Sequence, residues 1–224
     1  MKNITTILFD MDDTLILTIE KFRKYKNLIS EKLSEETNKN VSDILAEFNT
    51  HDATNIQKLG LSPNRFITSW NELMETYEVN ESLKKEINED LKNMFEEPYE
   101  IMEGVEDLLL SLGKNYKLIL ITAGHYETQI KKINDHVFQR FFENVYIPAI
   151  KTKDSYLEVL EKENLQASEV VMVGNSLTSD IGPATDVGIY GIHLDKDTWA
   201  YDKSEVNNEY QVIQKITDLK KILL

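Results

Sequence analysis

Apolar residues fall into two rhythms along this chain. Short, nearly continuous apolar runs occur at 4–9 (ITTILF), 117–122 (KLILIT), 144–148 (NVYIP), 169–174 (EVVMVG) and 189–194 (IYGIHL). Runs of that length, bounded by polar turn residues, predict buried strands. Between about Thr18 and Phe95 the rhythm is helical. Phe66, Trp70, Leu73, Met74 and Tyr77 recur at three- and four-residue steps, as do Leu83, Ile87, Leu91 and Met94. GLSP at 60–63 breaks this stretch, with Ser62 as a helix N-cap and Pro63 in the first helical position. Residues 96–104 read as a connector. Further helices are expected at VEDLLLSL, after Thr122, at SYLEVLEKENL, after Gly174 and over about 209–223, the last preceded by a short strand around YQVI.

Strand and helix alternate after residue 104. That order implies right-handed crossovers and a parallel sheet with helices on both faces. The expected fold is α/β: a Rossmann-like, doubly wound core with an inserted helical domain. The core takes residues 1–17 and 97–224, and the insertion takes 18–96. In such sheets ligands bind at the carboxyl ends of the strands.

Charge narrows the partners. The 224-residue chain carries 25 basic and 39 acidic residues, a formal charge of −14. Such a surface repels nucleic-acid backbones and anionic membranes, so neither is an expected partner. An anionic substrate would need positive charge built into the site. There are no cysteines, which excludes thiolate catalysis and Cys-ligated zinc. His51, His125, His136 and His193 show no metal-ligand spacing. The first apolar run is stopped by Asp10 before it reaches signal-peptide length, and no run is long enough to span a bilayer. A cytoplasmic protein, monomeric or homodimeric, is the expectation.

Four strand ends carry candidate chemistry. The first ends in Asp10-Met11-Asp12-Asp13-Thr14. Side chains two apart on an extended segment share a face, so Asp10 and Asp12 can line one crevice. Two close carboxylates repel each other, so either a cation sits between them or one takes a proton, and hard oxygen ligands of this kind suit Mg²⁺. The second strand ends in ITAG, where the Thr122 hydroxyl and the N–H groups of Ala123 and Gly124 are expected to open a helix, either as an ordinary cap or as a seat for a phosphate oxygen. The third leads to KTKDSY, where Thr152 is an N-cap candidate and Lys151 or Lys153 supplies positive charge. The fourth ends in VGNSLTSD, with Gly174 allowing close approach and Asn175 and Asp180 as oxygen donors.

In this order and context the motifs resemble the haloacid dehalogenase (HAD) superfamily of phosphohydrolases. The resemblance covers Ile4–Leu15 and Gly104–Trp199, with a secondary echo in GHYETQIKKI, where Gln129 and Lys132 follow the threonine. It implies that the 18–96 insertion is a type 1 helical cap. It also implies roles. Asp10 is the nucleophile that forms an aspartyl-phosphate, and Asp12 protonates the leaving oxygen and then activates water. Mg²⁺ joins Asp10, Asp12 through its backbone carbonyl, and the Asn175–Asp180 motif. Thr122, Ala123, Gly124 and Lys151 hold the phosphoryl oxygens of a small phosphorylated metabolite. Carbon–halogen dehalogenases of this group lack an acid at the Asp12 position, so its presence favours phosphate esters. Asp13 is expected to be structural and Thr14 to order the turn.

Two positions depart from the pattern: Asn175 stands where Asp is usual, which implies weaker Mg²⁺ binding, and Thr152 stands where Pro usually follows the lysine. A phosphosugar mutase on the same scaffold and a catalytically idle binding module remain as alternatives; only Asn175 leans toward the second. In the insertion, Lys21, Arg23, Lys24, Lys26, His51 and Arg65 receive no role. The lysine-rich stretch is expected to be a solvated face.

Overall fold

The computed structural model describes residues 3–196 and 205–224, so the last residues of the Gly104–Trp199 resemblance lie outside the described residues. In chain order the elements are β1 (Thr6–Phe9), α1 (Thr18–Thr37), α2 (Val41–Leu59), α3 (Pro63–Thr76), α4 (Glu81–Glu96), α5 (Val105–Leu112), β2 (Lys117–Ile121) and α6 (Tyr126–Asp135). They continue with β3 (Asn144–Tyr146), α7 (Lys153–Glu163), β4 (Val170–Gly174), α8 (Gly182–Thr185), β5 (Tyr190–Leu194), β6 (Tyr210–Ile213) and α9 (Leu219–Leu223). The chain divides into two compact units, Glu20–Pro98 and the remainder. Each division falls two residues later than the boundary read from the sequence.

The larger unit is built on six parallel strands in the order β3-β2-β1-β4-β5-β6. The continuous apolar runs belong to its centre. Every residue of β1 and β4 is buried, and so is every residue of β2 after Lys117. Such strands are covered on both faces, which explains why they do not alternate with polar residues. Crossovers from β1 run outward to β2 and β3, then return across β1 to β4. The direction of winding therefore reverses between β1 and β4, and a crevice opens there at the carboxyl ends of the strands.

Phe9 in β1 is paired with Leu120 and Val173, so Asp10 emerges between the ends of β2 and β4.

The last segment differs in part from its sequence reading. The short strand expected around YQVI is present as β6, but the helix expected over about 209–223 is reduced to a 3₁₀ turn at Ile216–Asp218 and the short α9. The YQVI segment pairs with β5 from Gly191↔Tyr210 to Leu194↔Ile213. Ladder hydrogen bonds satisfy its backbone as well as a helix would, and β-branched Val212 and Ile213 suit a strand.

The smaller unit is four helices around an aromatic and aliphatic core. Phe48 stacks on Trp70 at 4.0 Å between centroids, with Phe66 edge-on to both rings. Ile29, Leu33, Ile44, Leu73, Ile87, Leu91 and Met94 complete the core. Burying each such side chain stabilises the fold by roughly 1.5–3 kcal/mol. Ser62 caps α3, its Oγ accepting from Arg65 N at 3.3 Å. Among the described residues no helix is long and apolar enough to cross a membrane.

Candidate active site

The crevice at the strand ends collects six of the eight residues picked from the sequence. Asp10 leaves β1 with its N–H still bonded to Val173 O at 2.9 Å, so the sheet ladder sets its backbone. The chain then turns sharply, with Leu15 N bonded to Met11 O at 2.8 Å and Asp13 at φ 61°. Asp13 is buried, and its Oδ1 accepts from Ile19 N at 2.7 Å at the start of α1. Thr14 Oγ1 lies 2.9 Å from Asp10 Oδ2 and 3.3 Å from Asn175 Oδ1, which ties the β1 turn to the β4 loop.

Asp10 and Asp12 have separate partners. Asp10 Oδ1 accepts from Lys151 Nζ at 2.5 Å, and the same ammonium donates to Asp180 Oδ1 at 2.5 Å. Asp12 Oδ1 accepts from Lys132 Nζ at 2.6 Å and Thr18 Oγ1 at 2.5 Å; its Oδ2 accepts from Gln129 Nε2 at 2.7 Å. Gln129 also donates to Thr122 Oγ1 at 2.6 Å, linking the first two strand ends. Both Asp12 oxygens are thus engaged.

Local structure explains the reach of Lys151. Thr152 has extended backbone and caps α7, with Thr152 Oγ1 accepting from Ser155 N at 3.4 Å and Ser155 Oγ accepting from Thr152 N at 3.2 Å. Lys151 therefore precedes the helix and points inward, only 8% exposed, whereas Lys153 lies in the first turn and is exposed.

Gly174 makes room for Asp180. A Cβ there would sit 2.3 Å from Asp180 Oδ2, so any larger residue would evict the carboxylate. Asp180 Oδ2 accepts from Ser176 N at 3.0 Å, within a wide π-type turn at Leu177–Ile181. Tyr156 OH donates to Ser179 O at 3.0 Å, and His193 Nε2 donates to Asn175 O at 3.0 Å. These two side chains brace the loop from below.

The ITAG expectation needs correction. Ala123 and Gly124 do not open the following helix; α6 starts at Tyr126 with His125 at its N-cap. Gly124 has φ 137°, and its N–H is bonded to Pro148 O at 3.1 Å. That amide is consumed in tying the β2 and β3 loops together and is not offered to phosphate. Ala123 is half-buried, and Thr122 is fully buried. Conversely, Gln129 and Lys132 are part of the site although the sequence reading gave them only as an echo. Both are buried polar residues three apart on α6. The signal was there: an amphipathic helix following a strand end, with polar residues on its inner face.

The electrostatics follow from the pairing. Asp10 is pushed up to about 7, first by burial and then by Asp180 and Asp12, against the pull of Lys151. Burial works against the Lys151 charge, but Asp10 and Asp180 outweigh it and hold the ammonium above its ordinary value. Lys151 is thus held protonated and shared by two acids, with negative charge left over. Burial works against the Asp12 charge, but Lys132 together with the Thr18 and Gln129 hydrogen bonds outweighs it and holds the carboxyl below the usual range.

This donor set fits a hard dication. It contains carboxylate and amide oxygens and carries excess negative charge, and its imidazole neighbour His193 is bonded to Asn175 O, not to the side-chain oxygens. Among the described residues no group of three or more His, Cys, Asp or Glu side chains is arranged to hold a metal. The Asn175 amide is the neutral member of the set.

With this geometry in view, the chain can be placed. The family model described as haloacid dehalogenase-like hydrolase matches residues 4–188. The chain belongs to that family, and it is a hydrolase-family enzyme with the Rossmann-like fold described above. A curated relative is the HAD-hydrolase YfnB of Bacillus subtilis (strain 168), 24% identical over 194 residues, 81% of this chain and 80% of YfnB. A solved structure of YfnB bound to magnesium overlays with TM-score 0.67 at 22% identity, covering 99% of each chain. A haloacid dehalogenase-like hydrolase from Xanthomonas campestris overlays at TM-score 0.80 and 23% identity, covering 99% of this chain and 91% of its own. A Thermotoga maritima protein described as a β-phosphoglucomutase by assignment does so at 0.66 and 22%, covering 99% and 100%. Proteins described as 2-haloacid dehalogenase and HAD phosphatase share the fold as well, so the fold alone does not choose the bond that is broken.

Proposed function

We propose that this enzyme hydrolyses the phosphate monoester of a small metabolite through an aspartyl-phosphate on Asp10, with Mg²⁺ as cofactor. The observation that carries the reading is Asp12: a second acid two residues beyond Asp10, part-buried and held by Lys132, Thr18 and Gln129. Cleavage of a carbon–halogen bond has no use for an acid there, because halide leaves without a proton. An alkoxide leaving group needs one.

In the first half-reaction an Asp10 carboxylate oxygen attacks phosphorus and the ester oxygen departs, taking a proton from Asp12. In the second half Asp12, now a carboxylate, removes a proton from water. That water attacks phosphorus, releases phosphate and restores Asp10. Lys132 favours the carboxylate form of Asp12 and so helps the second half at the expense of the first. Lys151 and the Thr122 hydroxyl hold phosphoryl oxygens, while Asp180 holds Lys151. Bound Mg²⁺, carried by Asp10, the Asp12 carbonyl and Asn175, would neutralise phosphoryl charge. The Glu20–Pro98 unit serves as the cap, and the protein works in the cytoplasm as a monomer or homodimer.

The mutase reading keeps Asp10 and the aspartyl-phosphate but returns the phosphoryl group to the product. The overlay with the Thermotoga protein favours keeping it. Phosphate release from an aryl phosphate, with and without Mg²⁺, tests both. Mg²⁺-dependent release that falls by on the order of 10⁴-fold in Asp10→Asn is expected. Activity surviving in Asp10→Asn would overturn the mechanism, and isomer formation from a sugar phosphate without free phosphate would select the mutase.

A further inference from the structure

Gln129 joins the acid of the proposed reaction to a hydroxyl assigned to the phosphoryl group. It lies on α6 and is 2% exposed. Its Nε2 is 2.7 Å from Asp12 Oδ2 and 2.6 Å from Thr122 Oγ1. An ionised carboxylate accepts hydrogen bonds and donates none, so the amide turns its NH₂ group, not its oxygen, toward Asp12. That choice fixes the second contact. An amide nitrogen is a donor only, so Thr122 Oγ1 is the acceptor. The hydroxyl keeps one proton of its own, and that proton points away from Gln129. It has no acceptor among the described residues, although Thr122 is fully buried. A buried donor of this kind is costly unless an acceptor reaches it, and a phosphoryl oxygen is such an acceptor.

The same amide sorts the two oxygens of Asp12. Oδ1 accepts from Lys132 Nζ at 2.6 Å and from Thr18 Oγ1 at 2.5 Å, which occupies both of its lone pairs. Oδ2 accepts from Gln129 alone among the described residues and keeps one lone pair. A proton carried by Asp12 therefore sits on Oδ2, the oxygen whose position Gln129 sets.

We propose that Gln129 is a positioning residue with two linked tasks: it makes the Thr122 hydroxyl a donor to a phosphoryl oxygen, and it holds Asp12 Oδ2 where its proton is delivered to the leaving oxygen. In the first half-reaction the Oδ2–H bond of Asp12 breaks as the phosphorus–oxygen ester bond breaks, and the proton passes to the leaving oxygen. Gln129 neither gains nor loses a proton. Without its NH₂ group the Thr122 hydroxyl is free to rotate, and the Asp12 carboxyl loses the bond that sets its plane on the Oδ2 side. The inference rests on the phosphohydrolase reading and adds a residue to it.

The test compares the native chain with Gln129→Met, Thr122→Val and the double variant. Met keeps the length of Gln129 and removes both donors. Calorimetric titration with inorganic phosphate, Mg²⁺ present, reads the Thr122 task. Each single variant is expected to weaken binding by about tenfold, and the double variant no further than Thr122→Val alone. Losses that multiply in the double variant, or native affinity in Gln129→Met, would overturn the link. Hydrolysis reads the Asp12 task. For Gln129→Met, kcat/KM should fall about tenfold further with phenyl phosphate than with 4-nitrophenyl phosphate, because the poorer leaving group depends more on the proton. An equal fall with both esters would reduce Gln129 to a structural role. Gln129→Asn draws the same amide back by one carbon, and the same two signatures are expected of it if the Met variant does not fold. Absence of hydrolysis by the native chain would count against the phosphohydrolase reading, while the phosphate titration still decides the Gln129–Thr122 link. A native chain that binds no phosphate would overturn the inference as well.

Discussion

Asp10 and Asp12 are two residues apart, yet the fold gives them opposite electrostatic fates. Asp12 has Lys132 to itself and lies below the usual carboxylate range. Asp10 shares Lys151 with Asp180, and burial beside a second acid pushes it up to about 7. Asp13, next in the chain, has no lysine bonded to it at all; its Oδ2 is buried without a partner, and burial pushes it to about 7 as well. The difference teaches that charge state here is set by the ratio of cations to carboxylates in each neighbourhood, not by the acidic stretch itself.

The sharpest way to break this comparison is to remove the shared cation. Lys151→Ala leaves Asp10 and Asp180 buried against each other, and a loss of about 3–5 kcal/mol in metal-free denaturant unfolding is expected. Lys153→Ala, an exposed change, should leave that midpoint in place. Equal losses in the two variants would show that Lys151 does not hold the pair together.

Asp13 tests the acid without a lysine. Its folded value is raised, so the native state binds its proton more tightly than the unfolded chain does. Stability from this group is present below pH about 4 and is lost as pH rises through about 7. Asp13→Asn keeps an oxygen for Ile19 N–H and suits the positive φ. It should be more stable than the native chain by about 2 kcal/mol at pH 8, with the gain gone at pH 4. A pH-independent difference would remove burial of charge as the cause.

Lys132 tests the acid that has its own cation. Lys132→Met should raise the Asp12 value, so the alkaline limb of kcat against pH, where Asp12 must still donate its proton, moves upward by about one pH unit. An unmoved limb would mean that Lys132 does not set the protonation of Asp12. The smallest expected effect concerns the neutral donor. Asn175→Asp adds the missing charge at the β4 loop, and Mg²⁺ affinity by titration should tighten severalfold. Unchanged affinity would place Asn175 outside the metal set.

Much of this was legible because its signals are local. The buried central strands show as unbroken apolar runs, and the helical insertion shows as three- and four-residue steps around Trp70 and Leu91. Thr152 as a cap placed Lys151 before α7, and Ser62-Pro63 marked the start of α3. The misreadings share a cause. The final helix was expected to begin near 209, but YQVI is taken up along the open edge of β5 and leaves only Leu219–Leu223 for α9. Gly124 looked like a phosphate donor until Pro148, from a different loop, took its N–H. Of the basic residues of α1 expected to form one solvated face, Arg23 and Lys24 are exposed, but Lys21 is buried and donates to Glu97 O and Lys26 is half-buried.

By itself the amino-acid sequence determined the central strands and the helical insertion, and that Asp10, Thr122, Lys151 and Asn175 stand at strand ends, because periodicity and capping act over a few neighbouring residues. Only the tertiary structure decided which carboxylate meets which ammonium. Lys132 reaches Asp12 across 120 positions and Lys151 reaches Asp10 across 141. Such pairings, and the desolvation that gives them their strength, exist only once the order of strands has brought those ends to one crevice.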